Sequence, residues 1–159
     1  MRIEISISEQ TLAVFDADES VLHHYTVSSA ANGTGQQMDS YCTPLGLHVI
    51  EEKFGAGMPE NTVFVGRSST GEIYDISMRE SEPDRDWILT RIIWLGGCES
   101  GYNKDGEVDT HSRYIYLHGC PDDVQMGIPG SKGCIRMRNK DIVELFKSVQ
   151  VGTPVQINA

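Results

Sequence analysis

The residues best suited to chemistry in this chain lie between positions 116 and 138. In Ser131-Lys132-Gly133-Cys134-Ile135-Arg136-Met137 a cysteine follows a glycine directly, at the end of a Gly-rich stretch over 127–133. A glycine neighbour lets a substrate come close to the sulfur. Backbone N–H groups in such a turn can face a developing oxyanion. From Ser131 to Lys140 the chain holds Lys132, Arg136, Arg138 and Lys140 and no acid. A positive setting lowers a thiol's pKa and favours the reactive thiolate, and it attracts an anionic substrate. The nucleophile also needs a base. His118, followed by Gly119, closes a strand-like run and stands 16 residues before Cys134. That is enough chain to fold a loop back beside the strand end, so the pairing is spatial rather than sequential.

The plain alternatives stay open on residue types alone. A single cysteine in a small domain is commonly a buried hydrophobe, and a single histidine on a strand is commonly structural. His111, His118, Cys120 and Cys134 match no zinc spacing, so neither metal nor cofactor is expected. His23, His24 and His48 read as structural or surface residues, and Cys42 and Cys98 as packing residues. The four cysteines contain no CxxC pair, which disfavours a zinc knuckle or a thioredoxin-type site.

The elements that must hold these residues are mostly strands. Residues 2–7, 11–15 and 21–28 alternate or run apolar between polar turns and predict a meander. Residues 29–42 predict a loop. Thr43-Pro44-Leu45-Gly46 leads into another strand through about residue 50, with Pro44 suited to its entrance. Residues 63–67, 71–76, 88–95 and 113–117 are further strand candidates, and 96–112 predicts a long loop of the kind that often carries function. One helix is expected over 139–149, with Asn139 as N-cap and Asp141 in the first turn. Ile142, Val143, Leu145, Phe146 and Val149 give it an apolar face. Gly152 ends it, and 153–157 predicts the last strand. The fold class expected is mainly β, a sandwich or mixed sheet with one or two helices, in a single domain over 1–159.

At the scale of the chain, 159 residues fit one domain. A net charge of −10 disfavours nucleic acid and anionic membranes as partners. No apolar run approaches a membrane span; the longest, Ile92-Ile93-Trp94-Leu95, stops at Gly96-Gly97. The first eight residues alternate, and Glu4 interrupts any secretory signal pattern. A cytoplasmic location is therefore expected, with the periplasm as runner-up.

Taken together, His118-Gly119 and Ser131-Lys132-Gly133-Cys134-Ile135-Arg136-Met137 resemble the signature of YkuD-type L,D-transpeptidase catalytic domains. In that signature a His-Gly is followed by a loop and then Ser-His-Gly-Cys. Thr43-Pro44-Leu45-Gly46 is similar to the family's strand entrance, and Asn139, Asp141, Leu145, Phe146 and Gly152-Thr153-Pro154-Val155 to its C-terminal end. The resemblance implies a YkuD-like β fold acting on peptidoglycan stem peptides or muropeptides, with carbapenem-type β-lactams as covalent inhibitors. It implies Cys134 as nucleophile and His118 as base and later acid. Ser131 and Gly133 would shape the loop, with the Gly133 and Cys134 amides near the oxyanion. Arg136, Lys132, Gly119 and Tyr116 would border the substrate. Lys132 departs from the pattern by standing where the family has a second histidine. The activity implied is cleavage between an L-centred diamino acid and D-Ala through a Cys thioester. The expected form is a cytosolic L,D-carboxypeptidase of muropeptide recycling. Exported transpeptidation and an inactive wall-peptide binding module are the alternatives.

Overall fold

A computed structural model describes residues 1–159. Ten strands and two α-helices follow the chain as β1 (Arg2–Ser6), β2 (Thr11–Phe15), β3 (Val21–Thr26), β4 (Gly46–Phe54), β5 (Thr62–Val65), β6 (Ser68–Ile73), α1 (Ile76–Ser81), β7 (Ile88–Gly97), β8 (Tyr116–Gly119), β9 (Ile135–Met137), α2 (Asn139–Ser148) and β10 (Pro154–Asn158). A 3-10 turn interrupts the long loop at Gly106–Val108.

All ten strands join one mixed, curled sheet in the order β3-β2-β1-β10-β4-β7-β5-β6, with β8 and then β9 branching from β7. β1 and β2 show the inside–outside alternation of a half-buried strand, with Ile3, Ile5, Leu12 and Val14 fully buried. β7 is buried along nearly its whole length, as a strand must be when neighbours flank both edges. The main core gathers Ile3, Leu12, Ile93, Leu117, Ile135 and Met137 from the sheet and Ile142, Leu145 and Phe146 from α2. That helix lies against β7 and β8, the strands nearest the candidate chemistry. Lys53 of β4 donates to Phe146 O (2.6 Å) and Val149 O (2.7 Å) and so satisfies carbonyls at the helix C-terminus.

Several boundaries differ from the sequence reading, each for a local reason. The run 113–117 becomes a strand only from Tyr116: Tyr114 has φ 57°, and β8 begins at Tyr116 and continues through Gly119, so His118 sits within the strand. The run 63–67 stops at Val65 because Gly66 and Arg67 (φ 55° and 69°) form the tight turn into β6. Residues 76–81 form α1, started by Asp75, whose side chain accepts from Ser77 N (2.9 Å). β9 was not expected, since three residues carry little periodic signal. Asn139 is not the N-cap of α2: Arg138 takes that position without a side-chain cap, and Asn139 turns inward, 1% exposed.

Candidate active site

β9 runs parallel to β8 with Leu117 opposite Ile135, His118 opposite Arg136 and Gly119 opposite Met137. This register sets Cys134, one residue before β9, beside Tyr116 and diagonal to His118. The sulfur accepts from Tyr116 N (3.3 Å), and its S–H faces Tyr114 O (3.3 Å). No hydrogen bond joins it to the imidazole.

The loop that carries Cys134 is tied from three sides. Ser131, 4% exposed, donates to Cys134 O (2.5 Å) and accepts from Gly133 N (3.2 Å). Thr43 donates to Gly133 O (2.9 Å) and accepts from Ala30 N (3.0 Å), joining the expected loop 29–42 to the cysteine turn. The other edge of β9 bonds to Ser28 through both of its backbone groups (3.0 and 2.8 Å). Gly133 has φ 127°, a conformation side chains rarely adopt. Its amide is already taken by Ser131, so the expected pair of oxyanion donors reduces to the Cys134 amide. That amide takes part in none of the loop, turn or cap hydrogen bonds.

His118 is fully buried. Its Nδ1 lies 2.6 Å from Gly119 O. A carbonyl only accepts, so Nδ1 carries the proton and Nε2 carries the lone pair. Nε2 has no partner. Burial lowers the imidazole's pKa below its ordinary value, against a smaller opposing pull from Asp86. The ring is thus neutral at pH 7, with a free basic nitrogen.

The sulfur behaves differently from the sequence expectation of a stabilised thiolate. Burial pushes its pKa up to about 12, outweighing the lowering by the Tyr116 N–H, Arg136 and Arg113. The positive island is also less concentrated than its sequence. Arg136 is paired with Asp86 (3.1 Å), and Arg138 turns to Asp122 O (3.0 Å) and Val124 O (3.3 Å). Two hollows lie near the cysteine turn; neither Cys134 nor His118 lines them, and of the four cations only Lys132 and Arg136 do. One hollow, of about 180 Å³, is walled by Arg85, Asp86, Trp87, Cys120, Lys132 and Arg136 among others. A second, of about 260 Å³, is walled by Met38, Tyr41, Arg113, Tyr114, Ile115 and Lys132 among others. Lys132 belongs to both.

Two expected substrate contacts are corrected. The Tyr116 ring is 4% exposed and its hydroxyl accepts from Arg67 (3.0 Å), so what it offers the site is its N–H. Gly119 is enclosed as well: a Cβ there would run into Asn139 Oδ1 and Leu89 O. It offers His118 a carbonyl rather than the substrate a surface. Among the other cysteines, Cys98 is exposed rather than packed, whereas Cys120 is buried. His48 is fully buried, with Nδ1 donating to Gly46 O (3.0 Å) and Nε2 accepting from Thr110 (2.9 Å). His111 stacks on Trp94 at 3.8 Å. Sequence reasoning missed Asp86, Arg113, Thr90 and Asn61 and gave Thr43 and Asn139 other roles. Arg113 donates to Gly35 O, Gln36 O and Cys42 O (3.1, 3.2 and 2.7 Å) and so holds the loop that roofs the second hollow.

The family model described as the YkuD L,D-transpeptidase catalytic domain matches residues 1–157. This chain belongs to that family. A putative L,D-transpeptidase YkuD of Bacillus subtilis is 50% identical over 92 residues, 58% of this chain and 46% of that protein. A probable L,D-transpeptidase ErfK/SrfK of Escherichia coli is 49% identical over 117 residues, 57% of this chain and 38% of that protein. The aligned parts thus cover under half of these relatives' lengths. Among solved structures, an Enterococcus faecium L,D-transpeptidase aligns over 99% of this chain and 49% of its own, with a TM-score of 0.58 and 17% identity. A Mycobacterium tuberculosis L,D-transpeptidase 3 with a faropenem-derived adduct gives 0.58 and 18% over 99% and 59%. These likenesses establish the YkuD-type fold.

Proposed function

We propose that the chain cleaves the bond between an L-centred diamino acid and a terminal D-Ala in peptidoglycan stem peptides. Cys134 is the nucleophile and His118 the base. One observation carries the reading. On the strand beside Cys134 is a neutral histidine, fixed by Gly119 O, with a free ring nitrogen.

Because its surroundings raise the thiol's pKa, attack and proton transfer go together on this reading. The sulfur bonds to the scissile carbonyl carbon as its proton passes to His118 Nε2. The oxyanion meets the Cys134 amide. When the C–N bond breaks, His118 returns the proton to the departing D-Ala amine, leaving a thioester on Cys134. Water then attacks the thioester carbonyl, giving a proton to His118; the C–S bond breaks, His118 passes that proton to Cys134 Sγ, and the tripeptide leaves as a carboxylic acid that ionises in water. The terminal carboxylate of D-Ala suits the hollow bordered by Lys132 and Arg136. On this reading the enzyme is an L,D-carboxypeptidase of recycled muropeptides, acting in the cytosol.

Transpeptidation is the second reading. It is favoured by the second hollow, which leaves room for an acceptor stem on the far side of Lys132, and by the names of the relatives. The steps to the thioester are shared; an amine then replaces water. Incubation with a defined tetrapeptide, followed by mass spectrometry, tests the reading. Release of D-Ala with a tripeptide product is expected, and an imipenem adduct should form on Cys134 alone. An unchanged substrate together with an unlabelled Cys134 would sink it.

A further inference from the structure

β7 and β8 lose register opposite the catalytic histidine. Leu89 pairs with Gly119 and Ile92 with His118, so Thr90 and Arg91 are extra residues in β7. Thr90 has φ 74°. A β-branched residue in the left-handed region is strained, and such strain persists only where surroundings enforce it. Here the enforcement is a closed triangle of hydrogen bonds among three residues. The Thr90 hydroxyl donates to Asn139 Oδ1 (2.5 Å) and accepts from Asn61 N (3.0 Å). Asn139 Nδ2 donates to Asn61 Oδ1 (3.0 Å) and to Asp122 Oδ1 (3.2 Å). Arg91 donates to Thr90 O (2.7 Å) and fixes the bulge from its other side. Thr90 is fully buried and Asn139 is 1% exposed.

Gly119 is pressed between this triangle and β7, since any side chain there would strike Asn139 Oδ1 and Leu89 O. The carbonyl of that glycine is the sole acceptor for His118 Nδ1–H. We propose that Thr90, Asn139 and Asn61 are positioning residues for His118. They clamp the Gly119 peptide so that its carbonyl selects the Nδ1–H tautomer and leaves Nε2 as the base. This rests on His118 being the base of the proposed reaction. No member of the triangle touches the sulfur in this structure, so each acts through Gly119.

The test uses the full chain labelled with 15N-histidine and three variants: Thr90→Val, Thr90→Ser and Asn61→Gly. Asn61 has φ 68°, so glycine keeps its backbone while removing the oxygen that holds Asn139. In the unaltered chain His118 should show one tautomer, protonated at Nδ1. Thr90→Val and Asn61→Gly should show an admixture of the Nε2–H form. Their kcat for D-Ala release should fall about a hundred-fold, the scale of a catalytic group displaced by about 1 Å, with KM little changed. Thr90→Ser, which keeps the hydroxyl, should restore both. A folded Thr90→Val or Asn61→Gly with a pure Nδ1–H signal and kcat within about twofold overturns the proposal. If Thr90→Val does not fold, Asn61→Gly decides. The tautomer signal needs no substrate. A chain that releases no D-Ala therefore refutes the reaction, while the spectrum still decides the positioning.

Discussion

At the scale of single residues, the two groups of the proposed pair sit in unlike environments. Their surroundings push the His118 pKa down and the Cys134 pKa up, which on the proposed reading favours a concerted proton transfer over a standing ion pair. Cys134→Ser should abolish D-Ala release with an unchanged melting temperature, since a hydroxyl holds its proton far more tightly than a thiol. Turnover by the serine variant near the native rate refutes the nucleophile. Cys98→Ser, at an exposed position, should leave turnover as it is. His118→Ala should slow acylation by about a hundred- to ten-thousand-fold, read from the rate of imipenem adduct formation. The pH dependence has a definite sign. Burial lowers the His118 pKa, so the base form persists below pH 6.5 and the acid limb of kcat/KM should lie there. Burial raises the thiol pKa to about 12, so alkylation by iodoacetamide should still be climbing at pH 9. A plateau reached by pH 8 contradicts that protonation state. Lys132→His should keep activity, because Lys132 borders the hollows and contacts neither reacting atom in this structure. The pair itself was legible because Gly-Cys, His-Gly and the spacing between them are local. Its tuning was not, since Asp86 and Arg113 lie 48 and 21 residues before Cys134 and act only through the folded chain.

At the scale of elements, the strands with strong alternation were legible: β1, β2 and β7 lie close to where the pattern puts them, and α2 follows its apolar face. What escaped were elements defined by partners rather than by pattern. β9 is a strand because β8 and Ser28 flank it, and Tyr114 breaks the 113–117 run with a backbone angle that its side chain does not announce. The Thr43 strand entrance carried a signal, but its job as a clamp between Ala30 and Gly133 is long-range. Thr43→Val should leave a buried N–H and C=O unpaired, each costing about 1–3 kcal/mol. The melting temperature should drop by at least several degrees, and turnover should fall about tenfold or more in the folded variant as the cysteine loop loosens. An unaltered melt and rate would show that the clamp is dispensable. His48 in β4 gives a second consequence. Burial lowers its pKa from 6.5 to about 4, and its neutral form makes both of its hydrogen bonds. Its folded-state pKa is depressed for a base, so the unfolded chain binds the extra proton first. Stability should therefore be full above pH 6.5 and decline as pH falls toward 4, by up to roughly 3 kcal/mol. Denaturant titrations at pH 7, 5.5 and 4.5 measure the slope, and His48→Gln should flatten it.

At the scale of the whole molecule, a chain of net charge −10 presents its proposed nucleophile near Lys132, near Arg113, whose guanidinium is spent on loop carbonyls, and near Arg136, already paired with Asp86. A soluble stem peptide is itself anionic, so long-range attraction to this protein is weak and recognition must be short-range. A carboxylate entering the hollow beside Cys120 has to compete with Asp86 for Arg136. KM for a tetrapeptide should therefore rise with salt only modestly, because exposed charges are screened over about 10 Å at 0.1 M and Arg136 is partly enclosed. Asp86→Asn frees Arg136 for the substrate and should lower KM. It also removes a negative neighbour of both His118 and Cys134, so their pH limits should move down together. The two hollows bear on which of the two proposed reactions would follow a thioester. With tetrapeptide alone, water is the only abundant acceptor, and tripeptide should be the main product. On the transpeptidase reading, an amine from a second stem approaches by way of the hollow walled by Tyr41 and Tyr114. Tyr41→Ala should then reduce any cross-linked dimer while leaving tripeptide release intact. Mass spectrometry of the mixture reads both products at once. A mixture dominated by dimers, with the protein recovered outside the inner membrane on cell fractionation, replaces the carboxypeptidase reading with transpeptidation; tripeptide in excess and a cytosolic protein retain it.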